Sequence, residues 1–247
     1  MFVAGLYLYT SGVAPRIAVV QFPGTNCERE TARSLRACGA EPDIIWHAEP
    51  LPLDTYQAVV LPGGFAYGDH LRAGAIARFS TVMDGVTQFA RAGGLVLGIC
   101  NGFQVLLEAG LLPGAMLRNA SLQFRSQWVY CRVERTDTPF TRACIPGQIL
   151  RLPIAHGEGN YLSPDRSRDV VLRYCDASGT ATDRSNPNGS QDAIAGIINA
   201  AGNVFGLMPH PERASDPLLG STDGCFLMQS LVEAVRKSEP ERELAAR

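Results

Sequence analysis

The sequence predicts an α/β fold in which helices flank a central, mostly parallel sheet, with a smaller antiparallel sheet beside it. Short, continuously apolar segments alternate with helical segments through the first half, and glycine or proline residues follow several of the apolar segments. Continuously apolar strands are typical of parallel sheets that are covered on both faces. With 247 residues, 46% hydrophobic and 19% charged, the chain has the composition of one large globular domain.

The elements of the parallel sheet follow one another in the first half of the chain. The predicted strands are Ile17–Val20, Asp43–Trp46, Ala58–Leu61 and Leu95–Leu97. The first predicted helix ends near Cys38, and apolar positions at helical spacing between residues 82 and 90 predict a second. A third helix is predicted after Cys100.

The second half is less regular and predicts antiparallel pairing. Residues 128–133 and 148–154 have the pattern of antiparallel strands, and residues 194–198 and 204–208 predict a hairpin. A final helix is predicted from about Gly224 to Lys237.

No internal repeat or linker divides the chain, so we expect one domain over residues 15–238. Residues 1–14 carry no motif and are expected to form a poorly ordered N-terminal extension. Residues 239–247 are predicted to be a charged C-terminal tail.

Charge and hydropathy exclude several classes of protein. The 22 Lys+Arg and 24 Asp+Glu residues give a formal net charge of −2, without the basic excess of a nucleic-acid binder. No apolar segment approaches the roughly 20 residues that a membrane span needs. The start of the chain lacks the basic residues and continuous apolar core of a signal peptide. We therefore expect a cytoplasmic protein that binds neither nucleic acid nor membranes.

Cofactor and metal motifs are also missing from the sequence. The seven cysteines are scattered, without a Cys-x-x-Cys pair or a zinc-ligand spacing, which predicts reduced thiols and no metal site. The chain has neither a phosphate-binding Gly-x-x-x-x-Gly-Lys-[Ser/Thr] loop nor a dinucleotide-binding Gly-x-Gly-x-x-Gly fingerprint at a strand end. No cofactor is expected to bind this chain.

The strongest chemical signal is Gly98-Ile-Cys100-Asn-Gly102, between an apolar strand and a helix. This is the pattern of a nucleophile elbow with cysteine as the nucleophile. A sharp strand-to-helix turn exposes the side chain, and the helix N-terminus places positive potential beside the sulfur, which favours the thiolate. A buried core cysteine at a glycine-tightened turn is the alternative interpretation.

A thiolate nucleophile needs a base, and His210 is the best candidate among the four histidines. It lies in Pro209-His-Pro-Glu212, where the two prolines favour extended backbone, so His210 and Glu212 are expected to point to the same side. Glu212 would then orient the imidazole, as the acid of a triad does. His156 and Glu158 form a second pair with the same spacing, but the neighbouring glycines are more typical of a mobile loop.

The remaining groups of an acyl-transfer site are found near the elbow. The backbone N–H of Asn101 and the glycines Gly63 and Gly64, which follow a neighbouring strand, are candidate donors for an oxyanion. Both loops are expected at the carboxyl edge of the sheet. Gln104 lies one helical turn after Cys100, within reach of a bound substrate.

The longer sequence strings show a family resemblance. The Cys100 and His210 motifs resemble those of class I, or triad, glutamine amidotransferases, which have a flavodoxin-like fold. Over nearly the whole chain the sequence is similar to the glutaminase subunits of phosphoribosylformylglycinamidine synthase. The strings that carry this similarity are Val20–Cys27, Leu61–Asp69, Leu71–Ala77, Ala155–Asn160, Asn186–Ser190, Ile194–Ile197 and Met208–Arg213.

The resemblance implies an enzyme of purine biosynthesis that forms part of a carbon–nitrogen ligase complex. Cys100 would attack the side-chain amide of glutamine, with His210 as base and Glu212 orienting it. Ammonia would pass to a separate synthetase subunit that uses ATP and Mg²⁺ to convert formylglycinamide ribonucleotide to formylglycinamidine ribonucleotide, and a small accessory subunit would complete the complex. The implied site residues are the oxyanion donors Gly63, Gly64 and Asn101, the glutamine-binding residues Gln104, Asn119, Ser121 and Phe124, and the candidate gating residues His156 and Glu158.

Other functions remain open at the level of sequence. A glutaminase that serves another synthase would share the triad, although not the Tyr67-Gly-Asp or Ala155-His-Gly-Glu-Gly strings. A thiol sensor or a peptidase-like hydrolase on a flavodoxin-like fold would share the cysteine elbow. Neither of these two would need Gln104 or the Pro-His-Pro-Glu segment.

Overall fold

The computed structural model describes residues 13–163 and 169–245, with side chains described as far as Arg236. All but two residues of the predicted 1–14 extension lie outside this part of the chain, so its expected disorder stays a prediction. The predicted α/β fold class is confirmed: within the described residues, eleven strands and four α-helices form one nine-stranded sheet, one two-stranded sheet and the covering helices.

Five adjacent strands of the central sheet are parallel. Their order is β2-β1-β3-β4-β11, and neighbouring strands pair in parallel throughout. Both β3 and β11 are buried along their whole length, as the continuously apolar sequence predicts. The strands are β1 (Arg16–Gln21), β2 (Glu41–Trp46), β3 (Ala58–Leu61), β4 (Leu95–Ile99) and β11 (Val204–Leu207).

The other four strands extend the same sheet with antiparallel pairing, in the order β10-β9-β6-β7. The predicted strands over 128–133 and 148–154 therefore belong to the central sheet. The predicted smaller antiparallel sheet is formed by β5 and β8. The bounds are β5 (Ala115–Leu117), β6 (Arg125–Val133), β7 (Ile149–His156), β8 (Asn160–Leu162), β9 (Val170–Cys175) and β10 (Ile194–Ile198).

Helices cover the faces of the sheet. They are α1 (Glu28–Ala37), α2 (Thr81–Arg91), α3 (Asn101–Glu108) and α4 (Cys225–Ala245). The last helix extends past the predicted end near Lys237 and includes residues 239–245, which were predicted to be a tail. None of the helices in the described part of the chain is long and apolar enough to cross a membrane.

The site is positioned by the order of the parallel strands. Because β3, β4 and β11 are neighbours, the segments that follow them meet at one edge of the sheet. These segments carry Gly63 and Gly64, Cys100, and His210, respectively. The topology thus brings together residues that are more than a hundred positions apart in the chain.

Candidate active site

Cys100 lies at a sharp turn between β4 and α3. Its backbone has φ 50° and ψ −105°, a strained conformation for a residue with a side chain. The two flanking glycines allow this turn: a Cβ on Gly102 would lie 1.9 Å from the carbonyl oxygen of Leu61, and one on Gly98 would lie 2.5 Å from Cδ1 of Leu106. The structure therefore has the backbone geometry that the elbow motif predicts.

His210 and Glu212 are in direct contact. Nδ1 of His210 lies 2.6 Å from Oε1 of Glu212, and both side chains are buried. A carboxylate in this contact accepts, so Nδ1 carries the hydrogen and Nε2 is the nitrogen left for the nucleophile. Nε2 has no hydrogen-bond partner within the described residues, and Cys100 lies close enough to raise the pKa of the imidazole.

The backbone around His210 differs from the sequence expectation. Extended chain was predicted on both sides of the histidine, but only His210 itself is extended, with φ −106° and ψ 90°. Pro211–Ala214 form a 3₁₀ turn instead. Proline suits the first position of a helical turn because its missing N–H has no partner there. The His210–Glu212 contact thus comes from this turn.

Burial and the neighbouring charges act in opposite directions on the pKa of His210. Burial alone would lower the pKa of this imidazole, but Glu212 on one side and Cys100 on the other stabilise its charged form. The net effect is a pKa well above the ordinary value of histidine. The protonated imidazole is therefore available to deliver a proton to a leaving group.

A second thiol, Cys27, lies beside the same imidazole, which no sequence pattern indicated. Its Sγ is 4.0 Å from Nδ1 of His210, and burial raises the pKa of this thiol. Cys27, His210 and Glu212 present ligand atoms within 4.8 Å of one another. However, Arg213 donates to Sγ of Cys27 at 3.0 Å, and its guanidinium would repel a metal cation. These contacts among Cys27, His210, Glu212 and Arg213 oppose metal binding at the cluster, and the absence of a metal site stays a prediction.

The three candidate oxyanion donors surround the elbow in different ways. Gly64 lines the cleft into which Cys100 opens. Gly63 packs against the imidazole of His210: a Cβ on Gly63 would lie 2.6 Å from Cε1 of His210. Asn101 is the first residue of α3, so its backbone N–H has no partner within the helix. Its side-chain Oδ1 accepts the N–H of Ala66 at 3.0 Å, which holds the loop that contains Gly64.

Two residues predicted to bind glutamine have their amides occupied within the protein. Gln104 lines the cleft, but its Nε2 donates to the carbonyl of Glu158 at 2.6 Å and its Oε1 accepts from Asn101 at 2.9 Å. Asn119 is fully buried and outside the cleft lining; it donates to the carbonyl of His156 at 2.9 Å and accepts the N–H of Gly159 at 3.0 Å. Both amides hold the cleft wall in place.

The other two residues predicted to bind glutamine are exposed. Ser121 is outside the cleft lining, and its hydroxyl accepts a hydrogen bond from Arg125 at 3.2 Å. Phe124 does line the cleft and stacks on Phe65, with ring centroids 6.4 Å apart. Of the four residues, Gln104 and Phe124 reach the cleft.

The candidate gating residues, His156 and Glu158, also line the cleft. His156 is the last residue of β7 and is buried; burial, with a further contribution from His210, lowers its pKa to about 3. The carbonyl of the next residue, Gly157, accepts the N–H of Asn119 at 2.9 Å. Four hydrogen bonds thus hold residues 156–159, so this segment is more firmly fixed than its glycines suggest. A gating role for it stays a prediction.

The cleft has a volume of about 210 Å³ and contains two charged residues that sequence reasoning missed, Asp69 and Arg118. Asp69 belongs to the Leu61–Asp69 string and has a left-handed backbone, with φ 52°. Arg118 is exposed at the mouth. The Leu61–Asp69 string contains Asp69 but does not indicate its role, and no local pattern distinguished Arg118 from other surface charges.

Fold and site together define a class of enzyme, the triad glutamine amidotransferases. A family model described as the CobB/CobQ-like glutamine amidotransferase domain matches residues 14–233, and the chain belongs to that family.

Within this class, the similarity to known proteins is more specific. The chain is 51% identical over 232 residues to phosphoribosylformylglycinamidine synthase subunit PurQ of Moorella thermoacetica, covering 91% of this chain and 98% of that protein. It is 53% identical over 226 residues to the PurQ subunit of Symbiobacterium thermophilum, covering 88% and 96%. A chain in the structure of PurLQS from Thermotoga maritima superposes with a TM-score of 0.82 at 45% identity, covering 89% of this chain and 98% of that one. Among the glutamine amidotransferases, this chain is therefore a member of the PurQ family.

Proposed function

We propose that this chain is the glutaminase subunit of a phosphoribosylformylglycinamidine synthase, acting in purine biosynthesis. It hydrolyses glutamine to glutamate and ammonia through a thioester on Cys100. The observation that carries the proposal is the buried imidazole of His210, which contacts Glu212 through Nδ1 and lies beside Cys100. The membership in the PurQ family supports the assignment to this synthase.

The first step is attack of the Cys100 thiolate on the amide carbon of glutamine. Glu212 and the sulfur of Cys100 both favour the charged form of His210, so the imidazole takes the proton of the thiol as the sulfur attacks. His210 then gives that proton to the amide nitrogen, which leaves as ammonia. The product of this step is a glutamyl thioester.

The second step is hydrolysis of the thioester. His210, now neutral, takes a proton from water, and the resulting hydroxide attacks the thioester carbon. Glutamate leaves with the new oxygen, and Cys100 returns to the thiolate. Glu212 keeps the imidazole in one tautomer throughout, because its carboxylate accepts from Nδ1 in both steps.

Both steps pass through a negatively charged oxygen. The backbone N–H of Asn101 at the start of α3 and an N–H of the Gly63-Gly64 segment are the donors that we assign to it. Gly64 lies on the cleft wall, and the side chain of Asn101 ties the loop after Gly64 to α3 through Ala66. Donors fixed in this way stabilise the developing charge without reorganising.

The ammonia is consumed by a partner subunit. We infer that the chain works with a synthetase subunit and a small accessory subunit, as the name PurLQS suggests for the Thermotoga maritima assembly. ATP and Mg²⁺ are used by the synthetase, which converts formylglycinamide ribonucleotide to formylglycinamidine ribonucleotide, and this chain binds no cofactor of its own. The complex acts in the cytoplasm, and residues 15–238 form the glutamine amidotransferase domain.

Replacing the nucleophile tests the proposal directly. In the complex with synthetase and accessory subunits, Cys100→Ala is expected to abolish glutamine-dependent synthesis, because no thioester can form. Synthesis from added ammonium should keep its wild-type rate. A matched control is Cys144→Ala, which removes a buried thiol outside the cleft lining. Glutamine-dependent synthesis by Cys100→Ala at the wild-type rate would contradict the proposal.

A further inference from the structure

A second cavity lies on the open face of the antiparallel strands, apart from the cleft that contains Cys100. Its volume is about 460 Å³, more than twice that of the cleft, and the two share no lining residue. Residues 127–130 of β6 and Cys175 at the end of β9 line one side of it, and the segment that follows β9 lines the other. A cavity of this size is typical of sites for small molecules.

Two aromatic side chains of β6 line this cavity. Trp128 and Tyr130 are two positions apart in the strand, so they lie on the same face of the sheet, whereas Val129 and Cys131 lie on the buried face. The guanidinium of Arg151 lies over the Trp128 ring, 4.4 Å from its centroid, but Arg151 is outside the cavity lining. It therefore holds the indole in place and leaves the cavity open. Partly exposed aromatic rings of this kind stack on planar ligand rings.

The opposite side of the cavity is held by its own hydrogen bonds. The N–H of Thr182 donates to Oγ of Ser185 at 2.9 Å, and the N–H of Ser185 donates to Oγ1 of Thr182 at 3.2 Å. Oδ1 of Asp176 accepts the N–H groups of Ser178 and Thr180 at 2.8 and 3.0 Å. The segment after β9 thus keeps a defined shape, and the cavity is formed before a ligand binds.

The charges around the cavity favour an anionic ligand group. Arg184 lines the cavity, is exposed, and has no ion-pair partner among the residues that the structure describes. Asp176 also lines it, but its carboxylate is engaged in the turn that it caps. Burial raises the pKa of the Cys175 thiol to about 11, so that side chain is uncharged. A free guanidinium binds phosphate through two parallel hydrogen bonds.

We propose that this cavity binds a nucleotide, with the base stacked on Trp128 and Tyr130 and the phosphate paired with Arg184. The aromatic rings and the cation line one cavity, so a single ligand contacts both. A nucleoside lacks the group that pairs with Arg184, and inorganic phosphate lacks the ring that stacks. The inference goes beyond the proposed glutaminase activity, because the site shares no residue with the triad.

Tryptophan fluorescence gives a direct test of binding. The chain has two tryptophans, and Trp46 lies in β2, the edge strand at the other end of the sheet. In the full-length chain with Trp46→Phe, Trp128 is the remaining fluorophore. Titration with AMP or with UMP should quench its emission saturably, with a dissociation constant below about 1 mM. Adenosine and inorganic phosphate should each bind at least about 10-fold more weakly than AMP.

Substitutions in the same background test the two contacts separately. Arg184→Ala should weaken AMP binding by about 10-fold through loss of a charge-assisted hydrogen bond, and Tyr130→Ala should weaken it by about 10-fold through loss of a stacking contact. The matched control is Arg29→Ala, which removes an exposed arginine of α1 outside the cavity and should leave the affinity unchanged. Melting temperatures show that each variant is folded.

Three results would overturn the proposal. The first is the absence of saturable quenching by both AMP and UMP. The second is equal affinity of the Trp46→Phe chain for AMP with and without Arg184→Ala, and the third is binding of adenosine as tight as that of AMP; either shows that Arg184 does not hold a phosphate. Because the titration needs neither glutamine nor Cys100, its outcome is independent of the proposed function.

Discussion

The strands on either side of β4 and the outer antiparallel strands of the central sheet differ in how they are buried, whereas β9 and β10 between them are almost fully buried. In the parallel half, β3 and β11 are buried at every position. In the antiparallel half, β7 alternates regularly between buried and partly exposed residues, and β6 is exposed along much of its first half. Strands that are covered on both faces tolerate few substitutions, whereas strands with one open face tolerate more of them.

This difference matches a division of tasks in the site. The segments that follow parallel strands carry the nucleophile, the base and the oxyanion donors that we propose, and these groups need exact placement. The antiparallel half contributes the far wall of the cleft through His156, Glu158 and Phe124. We therefore expect substitutions near the parallel strands to have larger effects than similar substitutions on the opposite wall.

The largest expected effect is at the close approach between the elbow and β3. In Gly102→Ala the added methyl would lie 1.9 Å from the backbone oxygen of Leu61, so α3 must move. We expect a loss of about 3 kcal/mol or more in the free energy of unfolding. Displacement of Cys100 by about 1 Å should also lower kcat about 10²-fold. Denaturant unfolding and glutamine-dependent synthesis measure the two effects.

The matched change on the opposite wall is Gly157→Ala. The nearest atom to the added methyl there is Cδ2 of Phe124, at an ordinary contact distance of 3.8 Å. The unfolding free energy should change by less than about 0.5 kcal/mol. If Gly157→Ala lowers the free energy of unfolding as much as Gly102→Ala does, the two walls of the cleft do not differ in the way that the burial of their strands suggests.

The next effect concerns acid stability and arises in the antiparallel half. The pKa of His156 is lowered to about 3 by burial, whereas an unfolded histidine titrates near 6.5. As the pH falls below about 6.5, the unfolded chain binds a proton at His156 that the folded protein does not bind, so the contribution of His156 to stability falls by about 1.4 kcal/mol per pH unit. His156→Gln should show a shallower decline between pH 6.5 and 5.

His210 provides the internal comparison for that measurement. Its pKa is raised in the folded state, so its contribution to stability is complete below the unfolded value and is lost only as the pH rises through the folded value. His210 therefore does not contribute to the decline of stability below pH 6.5. Equal slopes for the wild type and His156→Gln would show that His156 is not the group that limits acid stability.

The smallest effect is expected where the two halves touch across the cleft. Phe65 follows β3 and Phe124 precedes β6; the rings stack, although they are 46% and 54% exposed. A double-mutant cycle with Phe65→Ala and Phe124→Ala should give a coupling of about 0.5 kcal/mol in unfolding free energy. A coupling of zero would mean that the rings stabilise each wall separately.

The sequence predicted those parts of the site that depend on local backbone geometry. Gly98 and Gly102 identify the elbow because only glycine allows the close approaches measured there, and β3, β4 and β11 are recognisable because each is continuously apolar. The backbone at Pro211 was predicted wrongly, since proline is compatible with both extended chain and the first residue of a 3₁₀ turn.

Sequence patterns did not predict the contacts between segments that are distant in the chain. Helical spacing gave the direction of Gln104 but not its partner Glu158, which lies 54 residues away. The proximity of Cys27 to His210 joins residues 183 positions apart, with no local motif to signal it. The place of Asp69 in the cleft depends on a left-handed backbone and on a hydrogen bond from α3.

The outer edge of β7 has a consequence for how the molecule avoids aggregation. This strand ends the sheet, and an open strand edge invites pairing with another chain. Here the outward groups of alternate residues are occupied: the N–H of Arg151 binds Asp223, the carbonyl of Pro153 accepts the N–H of His210, and the carbonyl of Ala155 accepts the thiol of Cys100. Pro153 itself has no N–H to offer a new strand. The turn that contains His210 thus also covers the edge of the sheet. We expect a molecule in which this turn has detached from β7 to be both inactive and prone to strand addition.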